Sequence, residues 1–230
     1  MIVGDRPHPA KPHWAVCAAA AAFGLVFSSS TILSSEIIDR IAISVGKQVI
    51  TESQIDEDIR LTAFLNKQKV DLDLPERKKA AARLIEQSLI RRDMELSRYP
   101  IPELKDADPP FNQIKGRYPS AAEFDEALKQ YGIDEASLRQ RLWWQETFLQ
   151  FIEYRFRPGI QIQDSDVQAY YQRELTKWKQ EGLDHIPSLE DSRSSIEQSL
   201  TEQRIDEELE RWLQDARTRV AVKFHDETLK

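Results

Sequence analysis

The chain has 230 residues, of which 31% are charged and 40% are hydrophobic, and it contains 7 glycines. This composition predicts a charged, helix-rich protein of one or two domains, and it disfavours a Gly-rich sandwich or a nucleotide-binding α/β fold. The 39 acidic side chains outnumber the 32 basic ones, which disfavours nucleic acid as a partner.

The N-terminal segment has the architecture of an export signal. A positively charged start precedes an apolar run from Trp14 to Phe27, and a small polar stretch follows the run. We expect residues 1–35 to be a signal peptide that is cleaved between 28 and 35, which places the mature protein in the periplasm. The run is shorter than the roughly 20 residues that span a bilayer, which favours cleavage. A retained membrane anchor is the alternative.

A β-hairpin that leads into a capped helix opens the chain after this segment. Ile41, Ile43 and Val45 alternate with their neighbours as in a half-buried strand. Gly46 supplies the turn before a short return strand, and Thr51 caps the helix that follows.

Apolar residues at helical spacing predict a series of helices along the rest of the chain. We expect helices over 51–69, 75–97, 120–131, 134–156, 164–181 and 188–219, with Ser120, Asp134 and Ser188 as the N-caps of three of them. We also expect an exposed loop over 105–114, after which a helix can start anywhere from Pro110 onward, the longest helix at 134–156, and a C-terminal strand at 220–224.

Several motifs resemble the N-terminal chaperone domain of the SurA-like, parvulin-type foldase family. Residues 50–56, ITESQID, resemble the family's opening strand and helix start. Residues 124–142 resemble its helix, glycine turn and following helix, with Gly132 at the turn. The segment Ile162–Tyr171 is similar to the stretch that leads out of that domain, and residues 192–222 are similar to the helix and strand that return to it.

The resemblance implies a mainly α-helical, multi-helix SurA-type chaperone domain over 36–230, with core helices at 51–180 and a returning helix and strand at 188–225. It also implies a small antiparallel sheet that pairs the N-terminal hairpin with the C-terminal strand. In the family, a parvulin isomerase module usually lies before the returning helix. Only residues 179–187 occupy that place here, and a domain needs about 50 residues or more. We therefore expect no parvulin domain.

Side chains for catalysis or for cofactor binding are not grouped in the sequence. Cys17 falls in the signal segment, and His185 and His225 have no neighbours at metal-ligand spacing. The pair Asp164 and Asp166 is typical of the first turn of a helix. We expect no metal, no cofactor and no enzyme activity, although the family is associated with peptidyl-prolyl cis-trans isomerase activity.

Aromatic side chains on the helix at 134–156 are the main candidates for binding. They cover more than one face of the helix, and both faces can be buried against neighbouring helices. The alternative is that part of this surface lines an apolar groove rimmed by charge. The candidate client-binding residues are Trp143, Trp144, Phe148, Phe151, Phe111, Tyr118 and Trp178.

These features together predict an exported, ATP-independent chaperone that binds unfolded outer-membrane or secreted polypeptides in an apolar groove. The alternatives are a helical adaptor or structural protein that binds one folded partner, and a family member named as an isomerase without its catalytic module. The expected partners are unfolded or partly folded polypeptides, with no nucleic acid and no metal. Contact with a membrane is expected only if the N-terminal segment is retained.

Overall fold

The computed structural model describes residues 39–182 and 185–230. The predicted signal segment lies outside the described residues, so its cleavage stays a prediction. Within the described ranges, the chain forms seven α-helices and one three-stranded antiparallel sheet. The predicted fold class, mainly α-helical with a small antiparallel sheet, is confirmed.

The sheet joins the two ends of the described chain. Its strands are β1 (Ile41–Val45), β2 (Gln48–Thr51) and β3 (Val222–Phe224), in the order β2-β1-β3. In the central strand, Ile43 pairs with Ile50 of β2 and with Phe224 of β3. The C-terminal strand therefore completes the sheet that the N-terminal hairpin starts, as the sequence predicted.

The predicted alternation in β1 is wrong at one residue. A register shift between Ile41 and Ile43 marks a β-bulge, and Ala42 is fully buried there while Ile41 is 44% exposed. A bulge adds one residue to a strand and reverses the facing of the side chains beyond it. Gly46 has a φ of +60°, which the tight turn between β1 and β2 requires.

The helices follow the predicted order with small changes in their bounds. They are α1 (Glu52–Leu65), α2 (Leu74–Ser97), α3 (Asp108–Lys115), α4 (Ala121–Tyr131), α5 (Glu135–Phe156), α6 (Asp164–Glu181) and α7 (Leu189–Arg219). The four predicted caps at Thr51, Ser120, Asp134 and Ser188 are confirmed, because each side-chain oxygen accepts a hydrogen bond from a backbone N–H in the first turn.

Three expectations about the helices are wrong. The predicted loop at 105–114 contains α3, since Pro109 and Pro110 lie in its first turn, where no intrahelical N–H is needed, and Phe111 is only 1% exposed. The longest helix is α7 with 31 residues, against 22 in α5, as the predicted bounds of 188–219 already imply. Helix α1 ends at Leu65 instead of residue 69.

Two hydrophobic clusters organise the body of the protein. The main cluster lies between the sheet and helices α1, α2, α5 and α7, and includes Ile43, Ile55, Ile90, Phe151 and Leu213. The second joins α1 to α3, α4 and the first half of α5, and includes Phe64, Phe111, Phe124, Leu138 and Leu142. Helix α6 packs mainly against the first half of α7 through Val167, Ile196 and Leu200. Helix α5 contributes residues to both main clusters. A binding site on α5 must therefore use the part of its surface that these clusters leave open.

Candidate functional site

A cleft of about 680 Å³ lies between β2, α1, α2 and α5 and is open to solvent. Its volume falls within the roughly 300–1,000 Å³ of natural ligand pockets. Many of the side chains around it are amides or hydroxyls, among them Gln48, Gln54, Gln87, Ser88, Ser137 and Gln140. We call this hollow the polar cleft. Its lining offers both donors and acceptors of hydrogen bonds.

A buried ion triad forms part of the wall of the polar cleft. The Asp58 carboxylate, 3% exposed, accepts hydrogen bonds from the guanidinium groups of Arg83 and Arg141. Arg141 also donates to the Thr62 hydroxyl at 3.2 Å. Two guanidinium groups on one carboxylate leave the triad with a net positive charge. A buried carboxylate of this kind is stable only while both partners stay in place.

Arg91 lies over the indole of Trp144 at another part of this wall. Its guanidinium carbon is 4.2 Å from the centre of the ring, which is a close cation–π contact. Burial lowers the pKa of the Arg91 guanidinium. The lowered pKa means that the surroundings disfavour the charged form, because the cation loses part of its hydration without gaining a full ionic partner.

A smaller apolar hollow of about 210 Å³ adjoins the polar cleft. Its apolar walls come from α2, α5 and α7 and consist of Ile90, Trp144, Phe148, Leu209 and Leu213. Arg83, Glu86 and Arg141 add charged groups to its lining. We call it the aromatic pocket. It combines an apolar surface with a charged rim, which is the kind of surface that binds apolar segments of other proteins.

The Glu86 carboxyl lines the aromatic pocket and has a raised pKa. Burial raises the pKa of the Glu86 carboxyl, while Arg217 of α7, whose Nη2 lies 2.6 Å from Glu86 Oε1, acts in the opposite direction. Repulsion from Glu210 adds to the rise of the Glu86 pKa. The Glu86 side chain stays 36% accessible, so it lies on the charged rim of the aromatic pocket.

Trp144 separates the two hollows, since it lines both of them although it is only 5% exposed. Phe148, one helical turn further along α5, is half-buried and lines the aromatic pocket. Their ring centres are 6.3 Å apart. Among the predicted client-binding residues, these two lie at the hollows described here.

The structure places the other candidates of α5 elsewhere. Phe151 is 2% exposed and packs edge-to-face on Tyr99, with the ring centres 5.1 Å apart. The Trp143 indole N–H donates to the carbonyl of Pro102 at 3.0 Å. Residues 143 and 151 therefore face the segment that joins α2 to α3, whereas Trp144 and Phe148 face α2 and α7. Phe151 is not accessible to a client in this conformation.

The remaining candidates lie outside α5: Phe111 is in α3, Tyr118 is in the connection between α3 and α4, and Trp178 is in α6. Phe111 is 1% exposed and packs on Phe124, as the half-buried Tyr118 also does. Trp178 lies near the end of α6, with its ring 6.1 Å from that of Tyr171. Phe111 is therefore a core residue of the second cluster. Among the described residues, the seven aromatic side chains do not line one common hollow.

Two residues of the polar cleft were missed in the sequence. Asp58 falls at a core-facing position of α1, three residues after the buried Ile55, and a carboxylate at such a position is a signal of a buried ion pair. Arg91 and Arg92 are adjacent in α2, and nothing in the local pattern separates them. Only the contact of Arg91 with Trp144 of α5 distinguishes the two.

The acidic and histidine side chains of the described residues are dispersed. No group of three or more His, Cys, Asp or Glu is placed to hold a metal ion in this part of the chain. Ser44 and His225 are joined by a hydrogen bond of 2.8 Å between β1 and the segment after β3. Because His225 is exposed and ties the two ends of the sheet, the pair serves to connect them. Among the described helices, none is long and apolar enough to cross a membrane.

Comparison of the sequence with known protein families finds no matching family. Comparison with curated proteins finds no match either. The candidate site is therefore interpreted from its own residues and from the motifs described above.

Proposed function

We propose that the protein is an exported, ATP-independent chaperone of the SurA-like type that binds unfolded outer-membrane or secreted polypeptides. The binding site is the pair of adjoining hollows on either side of Trp144. The proposal places the apolar side chains of a client in the aromatic pocket and its backbone in the polar cleft. It assigns no isomerase activity to the chain.

The observation that carries this proposal is the contrast between the two hollows. Leu209, Leu213 and Phe148 offer an apolar surface of limited depth, which suits many different side chains. Next to it, the glutamine amides of the polar cleft can donate to and accept from any peptide backbone, whatever its sequence. A site that combines the two favours extended polypeptide over a single small metabolite.

The edge of the sheet adds a second argument for polypeptide. Ser44 and Val49 form the pair next to the hydrogen-bonded pair that flanks the two-residue turn. In an antiparallel ladder such a pair is not hydrogen-bonded, so the N–H and C=O of Val49 point away from β1. Val49 is 48% exposed and lines the polar cleft. An extended segment in the cleft can pair with this free edge, as peptides do with other exposed sheet edges.

The test is suppression of aggregation without ATP, measured by light scattering of a chemically unfolded client diluted into buffer. We expect the residue 36–230 chain to suppress scattering at stoichiometric ratio. Phe148→Ala should weaken suppression several-fold because it removes the wall of the aromatic pocket. Leu149→Ala is the matched control, since Leu149 is the next residue, 57% exposed, and outside both hollows. Absence of suppression by the unmodified protein contradicts the proposal.

A second candidate function is a helical adaptor that binds one folded partner. The segment that joins α2 to α3 favours it, because Leu96, Ile101 and Leu104 are 72%, 52% and 50% exposed. Large apolar side chains exposed close together in sequence are typical of interaction surfaces. A folded partner captured at high affinity, lost with Leu96→Ser and Ile101→Ser but not with Phe148→Ala, would favour the adaptor.

A further inference from the structure

Arg91 differs from Arg141, the other guanidinium group that lines the polar cleft, because no carboxylate of the described residues lies within ion-pair distance of it. Glu95, four residues further along α2, attracts Arg91 only at longer range, and burial outweighs that attraction. Arg83 and Arg141 both bind Asp58. Arg91 forms no ion pair and donates no hydrogen bond to any residue of the described ranges, and its closest attraction is the Trp144 ring. A partly buried cation without a counter-charge costs free energy. Such a cost is expected where a ligand supplies the missing charge.

The carboxylates of the cleft itself are already engaged. Asp58 is shared by two arginines, and Glu57 accepts a hydrogen bond from the Ser137 hydroxyl. The lining of the polar cleft contains two cations, Arg91 and Arg141, and two anions, Glu57 and Asp58. Because Arg141 binds Asp58, Arg91 is the cation whose N–H groups a carboxylate of a ligand can engage.

Arg91 is also prepared to bind a carboxylate by its geometry. Contact with the Trp144 ring restricts the guanidinium group, and no residue of the described ranges accepts a hydrogen bond from its N–H groups. A guanidinium held in one orientation loses less conformational entropy when it binds a carboxylate through two parallel hydrogen bonds. The low hydration that lowers its pKa strengthens the same interaction.

We propose that Arg91 binds the side-chain carboxylate of an Asp or Glu residue in an extended client segment that occupies the polar cleft. This inference rests on the proposed function and adds a chemical preference to it. Because the cleft is open on the side of Val49, which is 48% exposed, a bound segment can continue past it. The carboxylate therefore belongs to a side chain within the segment and not to the C-terminus of the client.

The experiment uses three synthetic peptides with one common apolar sequence. The first has a central Asp, the second has Asn in its place, and both are acetylated and amidated so that the termini carry no charge. The third is the Asn peptide with a free C-terminal carboxylate. Affinities for the residue 36–230 chain are measured by fluorescence anisotropy of labelled peptides at low and high salt.

We expect the Asp peptide to bind about tenfold more tightly than the Asn peptide, a difference that corresponds to one charge-assisted interaction in a partly buried site. The preference should decrease at high salt. Arg91→Gln should abolish it. Arg92→Gln is the matched control, because Arg92 is the neighbouring exposed arginine, lines a different hollow, and should leave the preference intact.

Each other result decides against the inference. Equal binding of the Asp and Asn peptides overturns it while leaving the proposed function in place. A preference for the free C-terminus assigns the carboxylate to the chain end and also overturns it. If no peptide binds, both the inference and the proposed site are wrong. The comparison of peptides on the unmodified protein carries the test even if the Arg91 variant fails to fold.

Discussion

Asp58 and Arg141 are separated by 83 positions in the chain, yet the Arg141 guanidinium donates directly to the Asp58 carboxylate. The contact joins α1 to α5, and Arg83 brings α2 to the same carboxylate. Three helices thus meet at one buried charge beside the polar cleft. The position of α5, and with it the position of Trp144, depends on this contact.

Asp58→Asn should lower the free energy of unfolding by about 3 kcal/mol, because it leaves two guanidinium groups without their shared carboxylate. Urea denaturation at neutral pH measures the loss. Asp56→Asn is the control, since the Asp56–Arg77 pair is more exposed, with 33% of the carboxylate side chain accessible. We expect that change to cost less than about 1 kcal/mol. Equal losses for the two variants would contradict the assigned importance of the triad.

Leu229 lies one residue before the C-terminus but is only 4% exposed and belongs to the main cluster. Leu229→Ala should therefore cost about 2–3 kcal/mol through lost burial and the cavity it leaves. Thermal or urea unfolding measures the change. Leu96→Ala provides the comparison, because Leu96 is 72% exposed and its truncation should change stability by less than about 0.5 kcal/mol. A small effect at Leu229 would mean that the chain end is not docked.

Gly132 and Gly182 both end helices with a positive φ, at +67° and +72°. An alanine Cβ at Gly182 meets open space, so Gly182→Ala should cost about 1 kcal/mol from the left-handed backbone alone. At Gly132 a Cβ would lie 2.6 Å from Arg60 Nη1, which donates to the Tyr131 carbonyl at 3.2 Å. Gly132→Ala should therefore cost more than Gly182→Ala.

The excess cost at Gly132 is tested by a double-mutant cycle with Arg60→Ala, followed by thermal unfolding. With the Arg60 side chain removed, Gly132→Ala should cost no more than Gly182→Ala. If the excess persists in the Arg60→Ala background, the collision with Arg60 is not its cause.

Asp134 caps α5, and the N–H of Ser137 holds the pKa of its carboxyl below the ordinary value of 3.8. Because the folded pKa is lower than the unfolded one, the stabilising effect is complete above pH 3.8 and decreases as the pH falls through the folded pKa. Asp134→Ala should cost about 1 kcal/mol at neutral pH. Urea denaturation should show the difference from the unmodified protein narrowing in acid.

Asp134→Asn removes the negative charge of the cap but keeps its hydrogen bond, because the amide oxygen can still accept from the Ser137 N–H. This variant should lose less stability than Asp134→Ala at neutral pH, and its cost should also diminish in acid. A difference between Asp134→Ala and the unmodified protein that is constant from pH 7 to pH 3 would contradict this assignment.

Much of the secondary structure was predictable because its signals are local. The caps at Thr51, Ser120 and Asp134 depend on side chains that bond to backbone groups three residues away. Helix α3 was expected as a loop because two prolines suggest one, whereas Phe111 is buried in the structure and packs on Phe124 of α4. The exposure of Ile41 was missed because a bulge leaves no mark in an alternating pattern.

The candidate site was only partly predictable for a related reason. The sequence indicated an aromatic surface on α5, and Trp144 and Phe148 do line two hollows. Phe151 belongs to the same stretch but is buried against Tyr99, because the segment after α2 covers that side of the helix. The spacing of residues along one helix does not show which neighbour covers each of its faces.

The sequence by itself determined the helical class, the order of the elements and the return of the chain to a strand near its end. These features follow from local periodicity and capping, which act within a few residues. Only the tertiary structure decided that Asp58 holds two arginines and that Arg91 lies over Trp144. Those relationships join residues on different helices, and the packing of whole elements brings them together.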